Sequence, residues 1–233
     1  MKPIRSIGII MDGNRRWAKA RGLPTSEGHK AGLEPLRKLA AAFPQLKEKY
    51  GLEYATFYTF STENWNRSEE EVSYLMSLFE VGFKEILKAV EKEKDPARAI
   101  RVRMIGQLER FSPAIQKIMK DTEERTAKNS GGTAVFALSY GGRAEILTAV
   151  NRLIEKGGEI DEKTFAEELL TKGIPDPDLI IRTSGEQRVS GFLPWQSVYS
   201  ELFFLEKHWP DFSVEELERV FDEYQERERR IGS

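Results

Sequence analysis

Short apolar runs of strand length alternate along the chain with longer segments in which apolar residues recur every three or four positions. The short runs are rich in β-branched and aromatic residues, which favours β-strands. Six of them predict strands, at 6–11, 54–60, 100–106, 133–139, 178–184 and 201–206. Strands that alternate with helices predict an α/β fold with a parallel sheet flanked by helices. We expect residues 1–233 to form a single domain.

Capping signals place the helices. Ser68 is an N-cap, Glu71 is in position to complete a capping box, and Asp95-Pro96 ends this helix. Between residues 26 and 50 a helical pattern contains Pro35 and Pro44, which predicts a kink or a break. Further helices are predicted from Ser112 with Pro113 at its first position, from Arg143 to Gly157, and over 213–230.

Composition narrows the class of protein. Of the 233 residues, 39% are hydrophobic, and the net charge of -2 gives no general field for nucleic acid, so we expect no nucleic-acid partner. Cysteine is absent, which excludes disulfides, thiolate nucleophiles and cysteine-bound metals. No apolar stretch has the length of a membrane span. We expect a protein of the cytoplasm that touches a membrane only transiently.

The first strand ends in "MDGNRR", which places a carboxylate, a glycine, an amide and two guanidinium groups in succession. Gly13 lets the backbone approach a ligand, Asn14 offers donors and acceptors, and Arg15 and Arg16 fit phosphate oxygens. Asp12 beside them is typical of a Mg²⁺ site completed by phosphate and water. The alternative is a strand-end turn with a surface ion pair, which the stretch alone does not exclude.

Two further strands end in similar chemistry. The carboxyl ends of parallel strands meet at one edge of a sheet, so these residues are expected to meet the first stretch. After the second strand come Ser61, Thr62, Glu63, Asn64, Trp65 and Arg67; at and after the end of the fifth come Arg182, Ser184, Gly185, Arg188 and Ser190. Three such strand ends favour a site for a phosphorylated anion over solvated loops. His29 is a candidate phosphate ligand near a predicted helix start, with a structural histidine as the alternative.

Several familiar phosphate chemistries are excluded by the sequence. No glycine precedes a lysine, so there is no P-loop, and the G-x-G-x-x-G fingerprint is missing. The two histidines cannot build a histidine metal cluster. No two aspartates are adjacent, so the aspartate-rich motif of all-helical prenyl synthases is missing. Among the phosphate sites considered, a diphosphate site formed by arginines and magnesium is the one that the sequence does not exclude.

The motifs "MDGNRRWA", "GHKAG", "FSTENWNR", "YGGRAEI", "IRTSGEQRVSGFLPWQSVYSELFF" and "RIG" together resemble the cis-prenyltransferase family, in order from about Ile7 to Gly232. Undecaprenyl diphosphate synthase is its best-known member. The resemblance implies a six-stranded parallel sheet, a homodimer, and successive cis condensation of isopentenyl diphosphate with an allylic diphosphate of farnesyl or geranyl type. It also implies a polyprenyl diphosphate product, with undecaprenyl length as the first expectation.

The resemblance assigns roles to individual residues. Asp12 and Asn64 match the catalytic aspartate and the asparagine linked to proton transfer, and Asp12 and Glu201 match the magnesium carboxylates. Substrate binding is implied for Gly13, Asn14, Arg15, Arg16, Trp17, His29, Ser61, Thr62, Glu63, Trp65, Arg67, Arg182, Arg188, Val189 and Ser190. Arg230 and Gly232 match a motif that reaches the partner subunit in some relatives.

One position departs from the family pattern. Thr25 stands where many members carry an arginine four residues before the histidine. Arg15 stands where many bacterial members have glycine and others have arginine. We hypothesise that Arg15 compensates for Thr25.

The prenyl product requires an apolar tunnel, for which the candidates are Phe57, Thr59, Leu75, Phe79, Phe83 and Leu87. Ordinary core packing is the alternative for these residues. Two other functions are kept open: a non-catalytic partner subunit of this fold, and a magnesium-dependent phosphohydrolase with Asp12 as nucleophile.

Overall fold

The computed structural model describes residues 3–227, without the side chains of residues 90 and 91. Its centre is a sheet of six parallel strands, and every predicted strand is confirmed. The strands are β1 (Ser6–Ile10), β2 (Tyr54–Ser61), β3 (Arg101–Ile105), β4 (Thr133–Tyr140), β5 (Leu179–Thr183) and β6 (Glu201–Leu205). Their order across the sheet is β3-β4-β2-β1-β5-β6. The α/β class with a parallel sheet is therefore confirmed.

Helices cover both faces of this sheet. They are α1 (Asn14–Lys19), α2 (Thr25–Ala31), α3 (Leu33–Tyr50), α4 (Glu69–Lys92), α5 (Pro113–Thr126), α6 (Gly142–Lys156), α7 (Glu162–Ala166) and α8 (Val214–Glu226), with 3-10 turns at Thr62–Asn66, Leu108–Arg110 and Trp209–Asp211. The N-caps Ser68 and Ser112 are confirmed by side-chain hydrogen bonds to the backbone. Helix α6 ends at Gly157, as predicted.

Several predicted helix boundaries differ from the structure. The break in the segment 26–50 falls at Gly32, between α2 and α3, while Pro44 lies inside α3. Helix α4 ends at Lys92, before Asp95-Pro96. The six residues after Gly13 form helix α1, which the sequence did not predict because so short a segment shows no helical period. Arg230 and Gly232 lie outside the described residues.

The apolar residues of the strands alternate between two cores. Ile9, Phe57 and Phe136 belong to the larger core, under α3, α4, α5 and α8, whereas Ile10 and Val135 belong to the core on the opposite face. This arrangement buries β4 completely. Both faces of the sheet are therefore covered, and the open carboxyl edge, where β1, β2 and β5 end together, is left for polar groups. No helix within residues 3–227 is long and apolar enough to cross a membrane.

Candidate active site

Asp12 lies just beyond the carboxyl end of β1, at the centre of a hydrogen-bond network. Its backbone carbonyl accepts bonds from the Thr183 hydroxyl at 2.7 Å and from the Trp209 amide at 3.0 Å. Its carboxylate accepts from the Gly13 amide at 2.7 Å, from Arg182 Nη2 at 2.8 Å and from Arg16 Nη2 at 3.2 Å. Two strands and a 3-10 turn thus fix this carboxylate in place.

The carboxyl group of Asp12 is ionised at neutral pH. Burial tends to raise its pKa, but the hydrogen bond and charge of Arg182 outweigh burial, helped by Arg16 and the Gly13 amide. The pKa of Asp12 therefore lies below its ordinary value. A negative charge is maintained at the mouth of the sheet, which suits a cation ligand and does not suit a general acid.

Arg182 connects Asp12 to the loop after β5. Its guanidinium is buried, with 6% of the side chain exposed. Nη1 donates to the Ser190 hydroxyl at 2.8 Å and to the Arg188 carbonyl at 2.6 Å, while Nε is buried without an acceptor among the described residues. Ser190 itself has a positive φ of 48, an unusual conformation for a serine. A rigid arginine with an unused donor is suited to a phosphate oxygen.

Glu186 joins the guanidinium groups that follow β1 and β5. It accepts a bond from Arg16 Nη1 at 3.2 Å and also pairs with Arg188. Both arginines are about half exposed, so they are able to exchange this carboxylate for a ligand. The guanidinium groups of the first and fifth strand ends are therefore neighbours, as the sequence predicts.

The turn at Gly13 requires glycine. Its φ is 106, and an added Cβ would lie 2.7 Å from Ser184 Oγ and 2.8 Å from His208 Nδ1. These two side chains are hydrogen-bonded to each other at 2.7 Å, directly behind the turn. The absence of a side chain at Gly13 thus lets the backbone pass close to Ser184 and His208. The Gly13 amide is directed at the Asp12 carboxylate.

A second cationic cluster surrounds Glu71, on the first turn of α4. Glu71 Oε1 accepts from Arg67 Nη1 at 2.8 Å and bonds His29 Nε2 at 3.1 Å, and Arg15 Nη1 is 3.8 Å from Oε2. The capping box predicted for Glu71 is wrong: its amide bonds the Ser68 hydroxyl, but its side chain is directed at the cations. One carboxylate therefore holds groups from α1, α2 and the turn after β2.

His29 is neutral in this cluster. Burial lowers its pKa, and the hydrogen bond to Glu71 offsets burial only in part. Nε2 then donates to the Glu71 carboxylate. Burial tends to raise the pKa of Glu71, but the charge of Arg67, the hydrogen bond from His29 and the charge of Arg15 together outweigh burial and keep this pKa below its ordinary value. His29 lies four residues after Thr25, the first residue of the short helix α2, and it is in the last turn of that helix rather than at its N-terminus. The residue does line the site.

Asn64 is held by the turn that follows β2. Its side-chain oxygen accepts the Ser61 amide at 3.0 Å in a capping box, which leaves the amide NH₂ to donate. Asn64 and Ser61 both line the cavity described next, together with Arg67. An amide fixed in this way is suited to donate to an oxygen of a ligand.

A cavity of about 740 Å³ runs from this polar mouth between α3 and α4. Asp12, Asn14, His29, Arg182 and Ser190 line its mouth. Its walls are largely apolar, and Glu93, Arg98, Ala99 and Ile100 line its far end. The predicted tunnel residues Thr59, Leu75, Phe79 and Phe83 are confirmed as lining residues. The prediction is wrong for Phe57, which stacks on Phe136 in the core, and for Leu87.

Some predicted site residues lie outside the cavity lining. Trp17 donates a hydrogen bond to Asp211, and the Arg21 guanidinium stacks over its ring in a cation–π contact. Trp65 packs on Phe60 and donates to Ser139. Thr62 bonds the exposed Glu63, and Val189 packs on the core opposite the cavity. None of these side chains lines the cavity.

Glu201 lies at the opposite edge of the sheet from Asp12. It begins β6, pairs in register with Leu179 at the start of β5, and forms an ion pair with Arg227 at 3.1 Å. The strand rises about 13 Å from Glu201 to Leu205, whereas Asp12 lies beyond the carboxyl edge. Within one chain, the expected pairing of Asp12 and Glu201 on a metal is therefore not formed.

A magnesium ion fits Asp12 if a substrate supplies most of its ligands. The described residues contain no group of three or more histidine or acidic side chains suited to hold a metal. A carboxylate offers about four acceptor positions, and Asp12 uses three of them for Gly13, Arg16 and Arg182. One position is left for a cation whose other ligands are phosphate and water oxygens, which is the usual magnesium arrangement.

Glu71, Tyr58 and His208 were missed in the sequence. Tyr58 lines the cavity and donates to the Ser190 carbonyl at 3.3 Å. The capping motif around Ser68 concealed Glu71, because the same spacing fits a local role. Alternation along β2 places Tyr58 on the face opposite Phe57, but it does not show which tyrosines border a cavity.

Sequence and structure comparisons agree on one family. The profile of a family described as "Putative undecaprenyl diphosphate synthase" matches residues 10–232. An isoprenyl transferase of Chromobacterium violaceum is 46% identical, over 99% of this chain and 89% of that protein. An isoprenyl transferase of Thermotoga maritima is 43% identical, over 100% of this chain and 98% of that protein.

Two solved structures share the whole fold. Lavandulyl diphosphate synthase from Lavandula x intermedia, in complex with dimethylallyl diphosphate, superposes with a TM-score of 0.91 at 32% identity, over 98% of both chains. A "probable undecaprenyl diphosphate synthase" from Campylobacter jejuni superposes with a TM-score of 0.81 at 29% identity, over 100% of both chains.

Proposed function

Because the chain belongs to the cis-prenyltransferase family, whose profile covers nearly its whole length, we propose that it lengthens an allylic diphosphate by successive cis condensation with isopentenyl diphosphate. The starter we propose is of farnesyl or geranyl type, and the product is a polyprenyl diphosphate of undecaprenyl type. We place the reaction in the cytoplasm, with the product passing to a membrane.

The observation that carries this proposal is the position of two cationic clusters at the mouth of one apolar cavity. Five arginines, namely Arg15, Arg16, Arg67, Arg182 and Arg188, meet three carboxylates, so the mouth has a net charge of +2 before any substrate binds. A positive surplus divided between two clusters suits two anionic diphosphate groups. The apolar walls behind them match a prenyl chain.

We propose two subsites. Asn14, His29 and Arg67 lie beside the cavity, so we assign the allylic diphosphate there, with its prenyl chain between α3 and α4. Arg182, Arg188 and Ser190 then hold isopentenyl diphosphate at the end of β5. Asp12 lies between the two and bonds Arg182 and Arg16. Binding both substrates side by side makes the condensation effectively unimolecular.

The arginines act on the charge that develops in the reaction. As the allylic C–O bond breaks, negative charge grows on the leaving diphosphate, and preorganised donors stabilise it more than the ground state. Magnesium bound by Asp12 and by phosphate oxygens would add Lewis-acid stabilisation of the same charge. Asn64 donates from its amide and orients a diphosphate oxygen, which is a better proton acceptor than the neutral amide itself.

We also propose that two chains associate. Val198, Tyr199 and Leu202 expose large apolar side chains next to Glu201, a surface that a second copy would cover. Glu201 would then act at the interface, and its role as a magnesium ligand depends on that partner. A single-chain mass in light scattering at micromolar concentration would contradict the dimer.

One assay separates the proposed transferase from the two other functions. The protein is incubated with magnesium, farnesyl diphosphate and labelled isopentenyl diphosphate, and the lipids are extracted. Labelled chains longer than the starter support the transferase. Phosphate release without elongation would instead indicate a hydrolase, and no reaction would indicate a non-catalytic partner.

Replacing Arg15 by glycine is expected to raise the Michaelis constant for the allylic diphosphate by about five-fold, since one surface charge contributes roughly 1 kcal/mol. The structure directs Arg15 at the cluster of Glu71, His29 and Arg67, which supports compensation for Thr25. Lys19→Gly is the matched control, because it places glycine in the same helix at an exposed position. Equal Michaelis constants for the allylic diphosphate in the two variants would contradict the hypothesis that Arg15 compensates for Thr25.

A further inference from the structure

A bidentate ion pair bridges the two helices that enclose the cavity. Arg37 on α3 donates from Nη2 to both oxygens of Glu85 on α4, at 2.7 and 2.9 Å, and from Nε at 3.0 Å. Both residues line the cavity, yet their side chains are 48% and 42% exposed. A pair that faces the cavity on one side and water on the other forms part of the cavity wall.

The two helices have their main packing partners elsewhere. Helix α4 packs chiefly against α5, and α3 packs against α8 and α2. Nearer the mouth the walls approach at Gly82, where an added Cβ would lie 3.9 Å from Leu33 Cδ2. Arg37 is one turn beyond Leu33 and Glu85 nearly one turn beyond Gly82, so the ion pair continues the same seam where apolar packing ends.

The lining beyond this pair is apolar and small on the α3 side. Ala40 and Ala41 face the cavity there, and Ile86 and Ala89 line it from α4. If the seam opened, this apolar strip would become continuous with the outside. A prenyl chain inside would then have a lateral exit without passing the charged mouth.

We propose that the Arg37–Glu85 pair is the lateral closure of the prenyl tunnel and determines the chain length at which the product leaves. This inference rests on the proposed function. A half-exposed ion pair is weak, so the closed seam is favoured only several-fold over the open one. A short intermediate stays in the closed tunnel and is extended, whereas an open seam releases it early to a membrane or detergent.

The test compares product lengths from three variants in the elongation assay. Glu85→Gln removes the bridging charge and is expected to raise the ratio of short intermediates to full-length product by about two- to five-fold. Glu34→Gln is the matched control, because Glu34 pairs with the same arginine at 3.3 Å but from within α3, and it does not line the cavity. We expect it to keep the wild-type distribution. The charge swap Arg37→Glu with Glu85→Arg rebuilds the bridge and is expected to restore that distribution.

Three results would show that the Arg37–Glu85 pair does not close the tunnel. A wild-type distribution from Glu85→Gln, the same shift from Glu34→Gln, or a swap that does not restore the lengths would overturn the closure. Thermal unfolding of each variant is measured to show that the fold is retained. Absence of any elongation by the wild-type protein would refute the proposed function itself, which keeps the two failures apart.

Discussion

Replacing Asp12 by asparagine is expected to lower kcat by about 10³-fold while the fold is retained, a magnitude typical of losing one preorganised electrostatic group. The carboxylate orders Arg182 and Arg16 and has one acceptor position left for magnesium. Asparagine keeps the size of the side chain and one oxygen but removes the negative charge. The expected loss is therefore in the chemical step, with a smaller change in the Michaelis constants.

Asp121→Asn is a suitable control for this variant. Asp121 lies on α5 and does not line the cavity, so the same chemical change there is expected to leave turnover within about two-fold, as surface substitutions usually do. Steady-state rates with both substrates saturating give kcat, and circular dichroism with thermal unfolding shows that the fold persists. Undiminished turnover of Asp12→Asn in a folded protein would place the chemistry elsewhere.

Arg182→Gln is expected to lower kcat/KM for isopentenyl diphosphate by about 10²-fold, because a bidentate charged contact contributes up to about 3 kcal/mol. Arg182 joins Ser190 to Asp12 and has a buried Nε without an acceptor. Arg182→Lys should not restore the activity, since one ammonium cannot span both partners in the fixed geometry of a guanidinium. Arg5→Gln at the amino edge is the control.

The same variant has a second signature, in the titration of Asp12. In the wild-type protein, Arg182 outweighs burial and keeps the pKa of Asp12 below its ordinary value. Without Arg182, burial remains and its main opponent is gone, so the pKa rises. The carboxylate then becomes protonated at a higher pH. Carbon NMR of labelled aspartate in the metal-free protein measures this, and an unchanged pKa would contradict the assigned role of Arg182.

The polar site at the sheet edge could be predicted because parallel strands bring their carboxyl ends together. Asp12, Ser61 and Arg182 lie at or just beyond the carboxyl ends of strands whose apolar runs are unambiguous, so the strand register alone places them near one another. The same register places Glu201 at the amino edge, opposite Asp12. The resemblance that assigns Glu201 to the metal does not show at which edge of the sheet this residue lies.

Side-chain direction was the part that sequence could not supply. Glu71 has the spacing of a capping residue, and only the packing of α2 against α4 shows that His29 and Arg67 compete successfully for its carboxylate. Phe57 and Thr59 are two residues apart on β2, yet Thr59 lines the cavity whereas Phe57 packs in the core, and the pairing of β2 with β4 is irregular between Tyr58 and Phe60. These choices depend on contacts between distant segments.

The double-bond geometry of the product tests the central claim most directly. Wild-type protein is supplied with magnesium, farnesyl diphosphate and ¹³C-labelled isopentenyl diphosphate, and the extracted polyprenol is analysed by carbon NMR. The account predicts that every added unit carries a cis double bond. Added units in the trans configuration, or no added units from an active, folded preparation, would contradict it.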